Sequence, residues 1–200
     1  VCKEKPKTMI LKKIKRNVRI TRYVVYRETL VDYKEMFWSF LGAFCGIGSI
    51  AFVQSFFVEH IDNVFLIGSF GASSVLIYGA VHSPLAQPRN LVVGHVISAI
   101  IGVTVFKIVP DILWISAPLA VASSIVCMQL AKSLHPPGGA TALIAVIGSE
   151  KLQSLGYWYV LSPVFSGAII LLLVALICNN FSTNRTYPTS KRLRKILRLP

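Results

Sequence analysis

Six uncharged apolar runs constrain the fold of this chain more than any other feature. They cover residues 36–58, 64–81, 91–106, 112–131, 138–149 and 152–179. A helix needs about 20 residues, at about 1.5 Å each, to cross the hydrocarbon core of a bilayer. Four runs reach or approach that length, whereas run 64–81 is interrupted by GSFGASS and run 138–149 is short. With 54% hydrophobic and only 14% charged residues, the chain is predicted to be an all-helical membrane protein.

The positive charge lies almost entirely at the two ends of the chain. Residues 1–36 hold 11 Lys and Arg against 4 acids, and residues 180–200 hold 6 with no acid. The positive-inside rule then predicts that both termini lie on the cytosolic-type face and that the number of crossings is even. We expect residues 1–35 to form either a weakly amphipathic surface helix or a solvated basic tail, and residues 180–200 a second basic tail. Both should bind anionic lipids, and no nucleic-acid recognition pattern is visible.

The membrane domain, residues 36–179, contains an internal repeat. GASSVLI at residues 71–77 resembles GATALI at residues 139–144, and an apolar span opening on Trp precedes each. Two units result, residues 37–108 and 113–179, each with a long span, a short broken segment and a second long span. We therefore predict a bundle of six apolar segments, four long and two short. The short segments either cross the bilayer, which gives an inverted repeat, or are re-entrant. The distribution of Arg and Lys between the spans slightly favours six crossings.

The two short segments are predicted to interrupt helices inside the membrane. Pro136 and Pro137 should leave irregular backbone over residues 134–139, with a helix restarting near Gly139. Unpaired N–H groups at a helix start can hold a small anion. The sequence thus predicts two sets of backbone donors for a monovalent anion: Gly71, Ala72, Ser73 and Ser74, and Gly138, Gly139, Ala140 and Thr141.

Three further side chains could line the path of that anion. His95 lies deep inside an apolar run, where an ionisable group usually faces the bundle interior. It is either a pathway residue, which could also carry a proton, or a neutral ring bonded to a neighbouring helix. Arg89 could attract an anion or pair with lipid phosphate. His135 could contact substrate or pin its turn with a structural hydrogen bond.

These motifs resemble a known family. The run LHPPGGATAL at residues 134–143, preceded by SFGAS at 69–73, SPLAQPRN at 83–90 and GH at 94–95, resembles the HPP family of integral membrane proteins. The family is named for an element that is His135, Pro136 and Pro137 in this chain. Its members are described as four-span membrane proteins and candidate transporters, and some plastid and cyanobacterial relatives are nitrite transporters. The resemblance implies a permease for nitrite or a similar small anion.

Competing functions fit the sequence less well. No hydrolase, metalloprotease, phosphate-loop or dinucleotide motif is present, and the acids near the apolar runs lie at their ends. We therefore predict no enzyme activity, no metal site and no cofactor. The prediction is a transporter or channel for a small monovalent anion, with nitrite as the first candidate, that could form a homo-oligomer. The alternative is a non-transporting membrane anchor or sensor.

Overall fold

The apolar runs fold into helices of unequal length. The structure, a computed structural model, describes residues 32–57, 68–110 and 112–197, without the side chains of residues 54 and 57. No strand occurs in these ranges, so the all-helical class is confirmed. The helices are α1 (Tyr33–Phe57), α2 (Gly68–Ser74), α3 (Pro88–Ile108), α4 (Leu113–Leu130), α5 (Pro136–Ile147), α6 (Glu150–Ser154), α7 (Ser166–Phe181) and α8 (Lys191–Ile196).

Four stretches are long and apolar enough to cross a membrane. They are Tyr33–Val53, Pro88–Ile108, Leu113–Leu130 and Val160–Phe181. The last includes a π-helical turn, Val160–Phe165, that leads into α7. By contrast, α5 has 12 residues, or about 18 Å, and α2 is extended only by a second π-helical turn, Val75–Gly79. The chain is thus a multi-pass integral membrane protein, while the number of crossings and the relation between its halves stay predictions.

Helices α3, α4 and α5 pack most extensively on one another, and small residues allow their close approach. A Cβ at Gly102 would lie 2.6 Å from the Ala142 carbonyl oxygen, so only glycine fits between α3 and α5 there. At a second close contact, the Tyr78 ring lies directly on Gly42 and Gly46 of α1. Small residues at helical spacing are the usual means of close packing in lipid.

Both stretches predicted to be irregular are largely helical. Residues 68–74 form α2, because an internal glycine costs a helix only about 1 kcal/mol. At the second stretch, only Leu134 and His135 lie outside the helix, with His135 extended, and α5 begins at Pro136 rather than near Gly139. A proline in the first helical turn lacks an N–H that would have had no partner there, so two prolines start this helix instead of delaying it.

The region after α7 is not a solvated tail throughout. Arg185 and Tyr187 are buried, although residues 180–200 were expected to form a basic tail. The guanidinium of Arg185 donates to the Tyr78 carbonyl, to Asn179 Oδ1 and to Ser39 Oγ. Tyr187 donates its hydroxyl to the Ala86 carbonyl at 2.8 Å. Most of the predicted N-terminal tail, residues 1–31, lies outside the described residues.

Candidate functional site

Five polar side chains meet between α2, α3 and the start of α5, and all of them have 0% exposure. We call this group the histidine cluster. Its members are Ser69 and Ser73 of α2, His95 of α3, Thr141 of α5, and His135, which immediately precedes α5.

Local sequence places each of these side chains. Ser69 and Ser73 are four residues apart, so they lie on one face of α2. His95 is eight residues into α3, which begins at Pro88. His135 is extended because the residue before a proline avoids helical dihedrals, and this turns its ring towards the bundle. Thr141 is the sixth residue of α5, about one and a half helical turns after Pro136.

Hydrogen bonds join the five side chains into one continuous network. Ser73 Oγ lies 2.7 Å from His95 Nε2 and 2.9 Å from His135 Nε2. On the other side of the His95 ring, Nδ1 lies 2.7 Å from Thr141 Oγ1. Thr141 Oγ1 lies 2.9 Å from Ser69 Oγ, and His135 Nδ1 lies 2.9 Å from the Leu85 carbonyl oxygen. Both imidazoles are therefore bonded through both ring nitrogens.

The surroundings of the cluster are apolar or already paired. The two imidazole centroids are 4.9 Å apart, and the Phe70 ring packs edge-on against His95 at 5.4 Å. Tyr159 donates its hydroxyl to the Thr141 carbonyl at 3.1 Å, which ties α5 to the segment before α7. Burial lowers the pKa of His135, which lies outside the four candidate spans, to about 4, although its bond to Leu85 acts in the opposite direction. The His135 ring is therefore neutral at pH 7.

Four of the predicted site residues come together in this cluster, namely Ser73, His95, His135 and Thr141. The other residues in the two predicted sets do not join it. Gly71 and Ala72 point outward, Gly139 and Ala140 are half-buried, and Ser74 Oγ is buried with no hydrogen-bond partner in the described part of the chain. Gly138 packs against Ser98 and Met128 of the neighbouring helices.

The predicted backbone donors are mostly already used. Helices leave only their first four N–H groups unpaired, and α2 begins at Gly68, so residues 72–74 lie beyond that limit. In α5 the first two positions are prolines, and the Gly138 N–H donates to the His135 carbonyl at 2.8 Å. Ala140 and Thr141 follow the first four positions. Most of these amides are therefore paired within their helices, and the anion cradle stays a prediction only for the N–H groups of Gly71 and Gly139.

Arg89 lies apart from the histidine cluster. Its guanidinium donates to the Ala131 carbonyl at 3.0 Å, at the C-terminal end of α4. A cation there satisfies an unpaired carbonyl and interacts favourably with the helix dipole. Nearby, the Asn90 amide donates to the Leu134 carbonyl at 2.7 Å. Arg89 and Asn90 therefore hold the loop between α4 and α5 in place.

Sequence analysis missed Ser69 as a site residue. The pattern that could have revealed it is its spacing of four from Ser73, which puts both hydroxyls on the face that carries the network. For metal binding, the described residues contain no group of three or more His, Cys, Asp or Glu placed to hold an ion. The cluster itself offers two imidazoles that already bond to protein groups.

Comparisons with known proteins agree with the helical architecture. The family described as "HPP, transmembrane region" matches residues 28–188. A transmembrane protein of Dictyostelium discoideum is 46% identical over 160 residues, covering 78% of this chain and 51% of the relative. A second transmembrane protein of that organism is 44% identical over 167 residues, covering 81% of this chain and 58% of the relative. The chain thus spans little more than half the length of these relatives. No solved structure matches the chain.

Proposed function

The chain belongs to the HPP transmembrane family, and from this premise we propose that it transports a small monovalent anion, with nitrite as the first candidate. The observation that carries the proposal is the histidine cluster, a fully buried polar network among helices that are otherwise apolar. Polar and ionisable groups at membrane depth are costly, and they commonly mark substrate or proton pathways. An inert membrane anchor would need no such network.

The chemistry of the cluster suits a weakly held anion. Ser73, His95 and Thr141 offer hydroxyl and imidazole donors, and a neutral imidazole donates through one of its nitrogens. Neutral donors bind an anion less tightly than a fixed Lys or Arg would, which favours release on the far side. A solute entering the cluster would have to replace the internal bonds, so we propose that the described arrangement is an occluded one.

The distribution of charge also favours anions. In the membrane domain the Lys and Arg residues all lie at helix ends: Arg89, Lys107, Lys132 and Lys151. The described carboxylates are those of Asp32, Glu35 and Glu150, which also lie at helix ends. Positive ends around an interior without described carboxylates raise the local concentration of anions. We also propose that the basic helix α8 adheres to anionic lipid on the cytosolic-type face.

A second candidate is a non-transporting anchor or sensor. It is favoured by one observation, which is that every cluster side chain already has a partner within the protein. A closed network can serve stability alone, and relatives of which the match covers little more than half have room for a further domain. Flux measurements separate the two candidates, since only a transporter moves anions.

The test is anion uptake into liposomes containing the purified chain, compared across nitrite, nitrate, formate and chloride, with protein-free liposomes as baseline. We expect protein-dependent uptake of nitrite. His95→Ala should reduce it by about tenfold or more, because a lost buried hydrogen bond costs about 1–3 kcal/mol. The matched control is His82→Ala, an exposed histidine outside the cluster, which should keep wild-type flux. Unchanged flux in His95→Ala would remove the cluster from the pathway, and no flux for any anion would favour the anchor or sensor.

A further inference from the structure

The histidine cluster forms a chain of hydrogen bonds from Ser69 to the Leu85 carbonyl, with one longer side contact of 3.4 Å from Thr141 Oγ1 to the Pro137 carbonyl. In order, the bonds join Ser69 to Thr141, Thr141 to His95, His95 to Ser73, Ser73 to His135, and His135 to Leu85, with lengths between 2.7 and 2.9 Å. Each histidine bonds to one neighbour through Nδ1 and to the other through Nε2. Hydroxyl groups can donate and accept at once, so no link is restricted to one direction except the last.

That last link fixes the directions when both rings are neutral. A carbonyl oxygen only accepts, so His135 Nδ1 carries a hydrogen and its Nε2 accepts from the Ser73 hydroxyl. Ser73 must then accept from His95 Nε2–H, which leaves His95 Nδ1 to accept from Thr141. The Thr141 hydrogen is then used on His95, so Ser69 supplies the hydrogen between the two hydroxyls in this state. The described geometry of that 2.9 Å contact has Thr141 as the donor to Ser69, which is the direction that the bond takes once a proton has passed along the chain of bonds.

We propose that this chain is a proton relay, and that it couples the proposed anion transport to a proton that moves in the same direction. A proton arriving at Ser69 Oγ releases the hydroxyl hydrogen of Ser69 to Thr141. Thr141 passes its own hydrogen to His95 Nδ1, His95 passes its Nε2 hydrogen to Ser73, and Ser73 passes its hydrogen to His135 Nε2. At each step one bond to hydrogen forms and one breaks, and the result is one imidazolium at His135.

The relay reverses the direction of every hydrogen bond except the one to Leu85, and His95 stays neutral while its tautomer changes.

The two ends of the hydrogen-bond chain also differ in position. His135 and Leu85 lie at the loops where α5 and α3 begin, whereas Ser69 and Thr141 lie farther along α2 and α5 from those loops. A proton therefore moves between the bundle interior and the loop end of the bundle.

Coupling to an anion follows from the groups that contact the two imidazole rings, all of which are uncharged. Ser73 and the edge of Phe70 contact them from α2, Thr141 contacts His95 from α5, and the Leu85 carbonyl contacts His135 from the loop before α3. Tyr159 donates to the Thr141 carbonyl and not to a ring, and the Arg89 guanidinium donates to the Ala131 carbonyl at the end of α4. None of the groups with a contact to either ring in the described residues is a carboxylate, so an imidazolium here has no built-in counter-charge. A buried charge without a partner is costly, and a monovalent anion beside His135 supplies that partner. By linkage, each of the two should strengthen binding of the other.

This inference rests on the proposed function, and the two can fail separately. The experiment measures initial nitrite uptake into liposomes containing the wild-type chain, with valinomycin and potassium setting the membrane potential and an external dye reporting proton consumption. We expect one proton consumed per nitrite and no response to potential, because the pair is neutral. If nitrite moved without a proton, a membrane potential of 100 mV would change its accumulation by up to about 50-fold. That response, without proton consumption, would overturn the relay and leave the transporter intact. No protein-dependent flux would overturn both.

Thr141 supplies a matched pair of variants for the relay itself. Thr141→Val keeps the side-chain shape and removes the hydroxyl between Ser69 and His95, so proton consumption should fall to the protein-free baseline. Thr141→Ser restores the hydroxyl and should restore proton consumption. Equal proton coupling in the two variants would overturn the relay.

A spectroscopic test does not depend on flux. In ¹⁵N-histidine NMR of the wild-type chain in lipid nanodiscs, His135 should carry its hydrogen on Nδ1 and His95 on Nε2 at neutral pH. When His135 is protonated by acid, His95 should move its hydrogen to Nδ1 and stay neutral. A single unchanged tautomer of His95 through that titration would contradict the proposal, because a purely structural network would not reverse.

Discussion

Replacing Gly94 by Ala should disturb the histidine cluster without changing any of its members. A Cβ at position 94 would lie 2.6 Å from the His135 Cβ and 2.9 Å from the Ser133 carbonyl oxygen. Ordinary contact begins near 3.4 Å, so α3 and the segment before α5 must separate by about 0.8 Å. A shift of that size would stretch the 2.9 Å contact between Ser73 and His135 beyond hydrogen-bonding range.

The expected cost of Gly94→Ala combines three effects. Overpacking costs about 1–3 kcal/mol, and a buried hydrogen bond that is lost costs about 1–3 kcal/mol more. Alanine returns about 1 kcal/mol through its higher helix propensity. The net loss of about 1–5 kcal/mol should lower the melting temperature by about 2–20 °C for a chain of this size.

The assay is thermal unfolding in detergent micelles, followed by tryptophan fluorescence, with Gly48→Ala as the matched control. Gly48 lies within α1 and has nothing within 4 Å of an added Cβ, so this variant should melt at or above the wild-type temperature. If the two variants melt within about 2 °C of each other, the close approach of α3 to the His135 segment is not a constraint, and the reasoning fails.

Two further predictions concern protonation and the C-terminal region. Because burial lowers the pKa of His135 from 6.5 to about 4, the unfolded chain binds a proton more strongly than the folded one between these values. The free energy of unfolding should therefore fall by up to about 3 kcal/mol as the pH falls from 6.5 towards 4, and His135→Gln should flatten this dependence in denaturant titrations; parallel curves for the two proteins would contradict it. Arg185→Lys should destabilise the chain by about 2 kcal/mol or more in the same titrations, because an ammonium group cannot reach the Tyr78, Asn179 and Ser39 oxygens together. The exposed control Arg192→Lys should change little, and an equal effect in both would show that the Arg185 contacts contribute nothing.

The irregular-backbone predictions failed for a physical reason. Glycines and prolines disfavour the interior of a helix, but their effect depends on where the helix starts. Pro136 and Pro137 occupy the first turn of α5, where they are tolerated, and α2 tolerates its two glycines at a small cost. His95 was nevertheless predicted, because an ionisable group deep in apolar sequence is unusual, and His135 was predicted as part of the second short segment. Ser73 and Thr141 were predicted for their backbone N–H groups, whereas it is their hydroxyls that join the network.

The sequence by itself determined the membrane class, the helical composition and the presence of four long apolar segments. These follow from hydrophobicity and length, which are local properties that each segment carries before it contacts any other. Only the tertiary structure decided that Ser69 joins His95 through Thr141, that Arg89 positions a loop, and that Arg185 is buried. Those outcomes depend on which helix faces approach one another to within hydrogen-bonding distance. No single segment encodes that approach, because packing partners such as Gly94 and His135 lie 41 positions apart in the chain.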